Sequence, residues 1–298
     1  MTTNEQLFQG VVQFMHPGSE HKIDDSGWTP WNRGQHKRKF MTAEGALIDA
    51  AGKKHQSKFR FWGEWEGPSR KVSSLSGDDV LPHSLVEPMF PGYPANTEGL
   101  QNTDPYVFGK QFLYTLCKQV KKNGKPTFLT RLAPGTLVLF GSKLGGRFVL
   151  DTVFVIDDAI SHHSLETWQN EALGMSETYR AMTLAPMYMD KHIRRESNYT
   201  LYRGVTQDSS PTGPFSFFPC QADSSQGIGF SRPRLELPGI VNHTLMMGQR
   251  RIPMSISEIG AVWSSVVKQI LDRDLSLGVF AQEPRLTDVP KSLWPSKL

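Results

Sequence analysis

LAPGTLVLFGSKLGGRFVLDTVFVID, residues 132–157, is the stretch that decides the fold. Pro134 and Gly135 suit a tight turn, because proline fixes φ and glycine tolerates positive φ. Two apolar, β-prone runs follow at residues 136–140 and 148–156, and the segment between them holds three glycines. This pattern predicts a β-hairpin. Neither run alternates between apolar and polar residues, so we expect both faces of the hairpin to be covered.

Asp151 interrupts the second apolar run. An isolated buried charge is too costly, so we expect this carboxylate to be hydrogen-bonded or solvated. Two roles stay open for it. It either holds a neighbouring loop in place or takes part in binding a ligand.

The hairpin resembles the central strands of PUA-like β-barrels, the superfamily that includes the ASCH, EVE and YTH domains. In that superfamily a Pro-Gly-type turn leads into an apolar strand that ends near Phe-Gly, and a second apolar strand follows. The resemblance rests here on Pro134, Gly135 and the segments 137–140 and 149–155, and it covers residues 132–157. It implies a β-rich α+β protein centred on a small PUA-like barrel with long loops.

The chain has 298 residues, 38% of them hydrophobic, which is enough to bury a sizeable core. We expect a single elaborated domain over residues 1–298. The alternative is a barrel at residues 1–160 followed by a strand and helix elaboration at residues 161–298. Ser255 and Glu258 have capping-box spacing ahead of an apolar stripe, which predicts a packed C-terminal helix over residues 255–273. Residues 164–175 are a second, shorter helix prediction. Residues 72–104 are expected to form a long connecting loop, and residues 229–237 a strand that Pro233 confines to a sheet edge.

Several classes of protein are excluded by simple patterns. No apolar run approaches the ~18 residues that span a bilayer, and no cleavable leader is apparent, so we expect a cytoplasmic protein without a membrane partner. The two cysteines are too few for a disulfide framework or a thiolate zinc cage. Phosphate-loop, dinucleotide-binding, nucleophile-elbow and His-Glu-x-x-His motifs do not occur. No cofactor, metal ligand or catalytic residue is therefore predicted, and whether the protein is an enzyme stays open.

The net charge of +4 is unevenly distributed. Residues 33–71 hold ten Lys or Arg against four Asp or Glu, so the rest of the chain is slightly acidic. A basic patch of this kind attracts phosphates, whereas the plainer interpretation is a solvated face. Aromatic residues interleave with the basic ones, which is typical of nucleic-acid binding.

Residues 58–66, KFRFWGEWE, carry the sharpest pattern after the hairpin. In a strand, Trp62 shares a face with Arg60, Glu64 and Glu66, a combination that suits a planar, phosphate-bearing ligand. The two carboxylates could instead bind a metal or act as acid and base, and an edge strand with an Arg–Glu pair is a third interpretation. The predicted ligand-binding set combines tryptophans, cations and carboxylates. Its members are Trp28, Trp31, Arg33, Arg38, Lys39, Arg60, Trp62, Glu64, Trp65 and Asp151.

These residues predict a protein that binds a nucleic acid or a nucleotide, including one with a modified base. Exposed indoles would stack on bases, and the cations would supply salt-dependent affinity for phosphates. DNA, RNA and free nucleotides are not distinguished by this pattern.

Two alternatives remain. Tyr202-Arg203-Gly204 followed by Phe215-Ser216-Phe217 resembles the Arg and Ser strand motifs of ADP-ribosyltransferases, which implies that Arg203 and Ser216 help to hold NAD. Ser216 lacks flanking Ser or Thr residues and no Glu-x-Glu follows, so Glu236 or Glu258 would act alone. Two core strands with a buried Arg–carboxylate pair are the plainer interpretation. The second alternative is a non-catalytic subunit whose aromatic surface meets a protein partner.

Overall fold

The chain is mostly β in the computed structural model, with about 40% strand and 12% helix. The structure describes residues 6–23, 26–78, 80–163, 174–189, 198–223, 229–290 and 293. A small closed barrel and a C-terminal helix are both present, so the predicted β-rich α+β class is confirmed.

Six strands form the first sheet, in the order β12-β1-β8-β9-β10-β7. Strands β1 and β8 run parallel, and the other pairs are antiparallel. The strands are β1 (Gly10–His16), β7 (Leu113–Tyr114), β8 (Leu137–Leu144), β9 (Arg147–His163), β10 (Asn198–Gly204) and β12 (Gly248–Pro253).

Seven strands form the second sheet, in the order β13-β11-β4-β3-β6-β5-β2. Because β13 also pairs with β3, the four strands β3, β4, β11 and β13 close into a small barrel. The strands are β2 (Trp28–Thr29), β3 (Lys39–Ile48), β4 (Lys54–Gly63), β5 (Ser69–Ser74), β6 (Ser84–Pro88), β11 (Phe218–Ala222) and β13 (Ser276–Ala281).

Helix α3 (Ile256–Leu271) confirms the C-terminal helix prediction. The Ser255 hydroxyl accepts from the backbone N–H of Glu258, and the Glu258 carboxylate accepts from that of Ser255, so the capping box is complete. Shorter helical segments are a 3₁₀ turn (Phe128–Thr130), α1 (Glu177–Tyr179), a π-helical stretch (Arg180–Leu184) and α2 (Ala185–Tyr188). Among the described helices, none has the length and apolar character needed to cross a bilayer.

The predicted hairpin is formed by β8 and β9. Its turn is Gly145-Gly146, and both glycines have positive φ, 55° and 74°, as a tight two-residue turn requires. Gly141 lies in β8 at a register shift instead of in the turn. A Cβ at this position would lie 2.2 Å from the carbonyl oxygen of Val149, so only glycine fits the bulge.

Both faces of the hairpin are covered, as its apolar pattern predicts. Val138, Phe140, Phe154 and Ile156 pack into one buried cluster, which also includes residues of the barrel. The alternate residues of the same strands pack into a second cluster beneath α3. The hairpin is therefore the central layer between two cores.

Four expectations need correction or qualification. The closed barrel consists of β3, β4, β11 and β13, so the hairpin at residues 132–157 lies in the other sheet. The long connection at residues 72–104 contains β6, which pairs with β3 and β5. Residues 229–237 form a single bridge, between Arg234 and Val149, instead of a strand. Most of the helix predicted at residues 164–175 lies outside the described residues.

Candidate functional site

A cluster of charged and imidazole side chains lies where the two sheets meet. We call it the ionic cluster; its members are His16, His36, Arg38, Glu64, Glu66, Asp151 and Arg232. All except His36 are buried. Buried ionisable groups are costly unless they are paired, so such a concentration marks either a structural network or a functional site.

Strand ends bring these residues together. Lys39 and Gly63 are the last residue pair of the β3–β4 ladder at this end. Arg38 and Glu64 are therefore each one residue beyond the end of the ladder. His16 is the last residue of β1, and Asp151 lies within β9. The cluster thus connects the end of a barrel hairpin to the centre of the first sheet.

Arg38 is the link between the two sheets. Its Nη1 donates to Glu64 Oε2 at 2.7 Å, and its Nε donates to Asp151 Oδ2 at 2.8 Å. Burial lowers the pKa of Arg38, but the carboxylates of Glu64 and Asp151 outweigh that effect and hold the pKa above its ordinary value. The guanidinium is therefore always charged, and its two carboxylate bonds span the interface.

Asp151 is also held by the polar groups of its own sheet. The Ser142 hydroxyl donates to Asp151 Oδ2 at 3.1 Å and accepts from Arg232 Nη1 at 2.6 Å. The Arg232 guanidinium lies 5.0 Å from the ring centre of Trp62, a cation–π contact. The predicted requirement that the Asp151 carboxylate be hydrogen-bonded is confirmed.

His36 lies between the two glutamates at the edge of the cluster. Its Nδ1 is 2.9 Å from Glu64 Oε1 and 2.9 Å from Glu66 Oε1. Desolvation lowers the pKa of His36, but the two carboxylates prevail and raise it to about 10. The ring is therefore an imidazolium at neutral pH when nothing else occupies the space between the carboxylates.

His16 has a different environment at the other side of Glu64. Its Nε2 is 3.0 Å from Cys117 Sγ, and its Nδ1 is 3.2 Å from Glu64 Oε2. Burial lowers the pKa of His16 and raises that of the Cys117 thiol well above its usual value. The pair is thus a neutral imidazole beside a thiol, which is not the state of an activated cysteine nucleophile.

The space inside the ionic cluster is very small. A cavity of about 10 Å³ is lined by His16, Arg38, Glu64, Pro105, Val107, Phe140, Asp151 and Thr152. This volume holds roughly one water molecule. A nucleotide base does not fit there without rearrangement of the sheets.

A cavity of about 800 Å³ lies elsewhere on the molecule, and we call it the large cavity. Its lining residues are Phe108, Gly109, Lys110, Gln111, Leu113, Gly174, Met175, Ser176, Arg203, Phe280, Gln282 and Glu283. They come from both sheets and from the segment that leads into α1. Drug-sized ligands occupy cavities of about 300–1,000 Å³, so this one can hold a nucleotide.

Polar groups in the large cavity are well defined. Glu283 Oε1 accepts from the hydroxyls of Tyr106 at 2.9 Å and Ser176 at 2.5 Å. Arg203 Nη1 lies 3.2 Å from Asp158 Oδ2, and Lys110 is exposed. The cavity therefore offers two cations and a fixed carboxylate.

Three of the four predicted stacking tryptophans are in the interior. Trp31, Trp62 and Trp65 are at most 4% exposed, and their indole N–H groups donate to the carbonyls of Gln101, Phe230 and Pro68. Trp28 is half-buried and packs beside a small cluster at the C-terminal segment. The expected exposed aromatic surface is therefore wrong for Trp31, Trp62 and Trp65, because the apolar ring outweighs the single polar atom that each buries.

The predicted cations are also dispersed. Arg38 and Lys39 are buried, Arg33 is exposed, and Arg60 is half-buried with its Nε donating to Asp223 Oδ1 at 2.6 Å. Lys39 Nζ donates to the Gly67 carbonyl and the Ser69 hydroxyl, both at 2.8 Å. Burial lowers the pKa of Lys39 to about 7, although Glu66 partly opposes it.

Four predicted residues do come together, namely Arg38, Glu64, Asp151 and, through Arg232, Trp62. Whether any of the ten predicted residues binds a ligand stays a prediction. His16 and Arg232 were missed because they belong to distant segments, and His36, two residues before Arg38, was missed because it belongs to no motif. The sequence predicts that Glu64 and Glu66 lie close together, because alternate residues of a strand share a face. The two glutamates are close, but β4 ends at Gly63, so neither of them is part of the strand.

The chain matches no protein-family model, no curated protein and no solved structure.

Proposed function

We propose that this protein binds a nucleotide, free or within a nucleic acid, in the large cavity. The observation that carries the proposal is the combination of a volume of about 800 Å³ with two cations, an aromatic ring and a fixed carboxylate. Those are the groups that a phosphate, a base plane and a base edge require.

The phosphate end of the ligand is assigned to Lys110 and Arg203. Lys110 is exposed at the cavity wall, and Arg203 is half-buried in β10. The ion pair between Arg203 and Asp158 fixes the guanidinium without burying it. An arginine offers paired donors to phosphate oxygens, and a lysine adds a mobile charge.

The base end is assigned to Phe280 and Glu283. Phe280 is half-buried in β13, so part of its ring is available for stacking. Glu283 lies two residues after the end of β13 and is oriented by the hydroxyls of Tyr106 and Ser176. A carboxylate held in this way accepts hydrogen bonds from exocyclic amines of a base.

A PUA-like classification of the barrel belongs to the same proposal. The closed ring of β3, β4, β11 and β13 is compatible with it, and Phe280 belongs to one of these strands. A modified base is then a candidate ligand, because the large cavity leaves room beyond an ordinary nucleotide.

An NAD-consuming transferase is the second candidate, and one observation favours it. Arg203, the residue that carries the resemblance to ADP-ribosyltransferases, lines the large cavity. Ser216 does not line it; its hydroxyl is buried and accepts from the backbone N–H of Val155 at 2.9 Å. Of the two motif residues, only Arg203 is therefore placed to contact NAD in the large cavity.

Binding of nucleotides to the full chain tests the proposal. AMP, ATP, NAD and a 12-nucleotide single strand of DNA or RNA are titrated by calorimetry at low and at physiological salt. We expect one of these probes to bind, and Arg203→Ala and Lys110→Ala each to weaken it about tenfold, since hydrogen bonds to charged groups contribute about 1.5–3 kcal/mol. Lys58→Ala is the matched control, because Lys58 is an exposed lysine of β4 outside the large cavity.

Two results would overturn the proposal. One is that none of the probes binds at low salt. The other is that Lys58→Ala weakens binding as much as Arg203→Ala does, which would mean a diffuse electrostatic attraction. Release of nicotinamide from NAD, lost in Arg203→Ala, would decide in favour of the transferase.

A further inference from the structure

Three side chains of the ionic cluster, His36, Glu64 and Glu66, bring one ligand atom each to the same place. These atoms all lie within 4.8 Å of one another, and His36 Nδ1 is 2.9 Å from an oxygen of each glutamate. Ligands held at about 2.1 Å and at right angles around an ion are about 3.0 Å apart. We infer that these three residues form a binding site for a divalent transition-metal ion such as Zn²⁺ or Mn²⁺.

The two carboxylates are already oriented for this role by their other oxygens. Glu64 Oε2 accepts from Arg38 Nη1 at 2.7 Å, and Glu66 Oε2 accepts from Asn32 Nδ2 at 2.5 Å. Each glutamate therefore has Oε2 held by a side chain and directs Oε1 towards His36, where Oε1 also accepts a long bond from a backbone N–H, that of Asp104 at 3.4 Å for Glu64 and that of Lys37 at 3.3 Å for Glu66. Metal ligands are typically fixed by hydrogen bonds of this kind to groups behind them.

His16 lies against Glu64 on the side that Arg38 also occupies. Its side chain is only 2% exposed, and its Nδ1 has no hydrogen-bond partner among the described residues. That nitrogen lies 3.2 Å from Glu64 Oε2 without hydrogen-bond geometry; Oε2 is the oxygen that Arg38 holds, whereas Oε1 is the oxygen that faces His36. His16 therefore lines the buried side of Glu64 and is not one of the three grouped ligands of the proposed ion.

The charges and the donor atoms select the class of ion. The two glutamates and Asp151 face the guanidiniums of Arg38 and Arg232, which leaves one excess negative charge when the imidazoles are neutral, as they are when they bind a metal. This near balance favours one small ion over several. One imidazole with two carboxylates suits Zn²⁺, Mn²⁺ or Fe²⁺ better than Ca²⁺, which prefers oxygen ligands alone.

The ion has a route to the site. The His36 side chain is 18% exposed, whereas both glutamate side chains are at most 3% exposed. Residues 33–35, which precede His36, are exposed as well. The ion would therefore enter past the imidazole, and its remaining coordination positions would face that side.

Metal titration of the full, tag-free chain tests the inference, independently of nucleotide binding. After treatment with a chelator, Zn²⁺ and Mn²⁺ are added separately and followed by calorimetry. We expect one equivalent of at least one ion to bind, and His36→Ala and Glu66→Gln each to weaken binding more than about tenfold. His55→Ala is the matched control, because His55 forms a more exposed pair with Asp49 and should leave binding unchanged.

The inference is overturned if the wild-type chain binds no stoichiometric ion, or if His55→Ala weakens binding as much as His36→Ala. Circular dichroism establishes whether each variant folds. If the cluster variants do not fold, crystals of the wild-type protein soaked in Mn²⁺ give the answer by anomalous scattering. A peak within about 2.4 Å of His36 Nδ1 supports the site, and its absence or a peak elsewhere contradicts it.

Discussion

The ionic cluster and the large cavity hold similar side chains in opposite settings. Both contain arginine and glutamate, but the cavity volume is about 10 Å³ in the ionic cluster and about 800 Å³ in the large cavity, which is open to solvent. In the cluster, Arg38 uses its donors on carboxylates of both sheets, whereas Arg203 in the cavity stays half-buried. The same side chains are therefore buried between the sheets in one place and line an open cavity in the other, where we propose that a ligand binds.

This difference also accounts for how each region responds to the loss of a charge. Removal of one partner from a buried network leaves the others unpaired in a medium that solvates them poorly. Removal of a half-exposed cation leaves groups that water can reach. Substitutions in the two regions should thus separate into effects on stability and effects on binding.

The largest expected effect is that of Arg38→Met. It removes the guanidinium that Glu64 and Asp151 share at the interface between the sheets, so each buried carboxylate loses its shortest hydrogen bond to an arginine. We expect the free energy of unfolding to fall by about 3–5 kcal/mol, measured by urea denaturation. Arg70→Met is the control, because its pair with Glu87 is exposed and should contribute less than about 1 kcal/mol. Equal losses in the two variants would contradict a structural role for the cluster.

The next effect concerns pH and Lys39. Burial lowers its pKa to about 7 in the folded chain, against about 10.5 when unfolded. Between pH 7 and pH 10.5 the unfolded chain binds more protons at this lysine than the folded chain does. The free energy of unfolding therefore rises with pH over this range, and this increase is lost as the pH falls to 7. We expect it to raise the free energy of unfolding by about 2 kcal/mol between pH 7 and pH 9.

Lys39→Met isolates that contribution. Urea denaturation of the wild type and the variant at both pH values gives the difference that belongs to Lys39. The pH-dependent gain should be absent in Lys39→Met and retained in Lys58→Met, which alters an exposed lysine of the adjacent strand. A variant that keeps the full gain would show that Lys39 is charged when buried.

The smallest effect on stability is expected from Arg203→Ala in the large cavity. Its ion pair with Asp158 is partly exposed, so the free energy of unfolding should change by less than about 1 kcal/mol. Its affinity for a bound nucleotide should nevertheless fall about tenfold. A large loss of stability would mean that Arg203 stabilises the fold as Arg38 does, and the two regions would then not differ in this respect.

The hairpin and the C-terminal helix could be predicted because their signals are local. Gly145 and Gly146 specify the turn, and Ser255 with Glu258 specifies the helix start. The identity of the barrel strands could not be predicted in the same way. Strand β13 closes the barrel by pairing with β3, more than two hundred residues earlier, and no local pattern encodes that contact.

The candidate sites depend even more on distant contacts. Asp151 was recognised because a carboxylate in an apolar run needs a partner, but the partner, Arg38, lies 113 residues away. The prediction of an exposed aromatic surface was wrong for Trp31, Trp62 and Trp65. Their indole N–H groups donate to backbone carbonyls, so the rings can be buried without an unpaired polar group. Proximity of aromatic and basic residues in the sequence therefore did not produce a shared surface.

The most direct test of the account is the position of a heavy-atom nucleotide in the protein. Crystals soaked with 8-bromo-AMP, or with the bromo analogue of whichever probe binds best in solution, locate the bromine by anomalous scattering. The account predicts a peak in the large cavity beside Phe280, with phosphate density near Lys110 and Arg203. A peak within the ionic cluster or on another surface, with the large cavity empty, would contradict it.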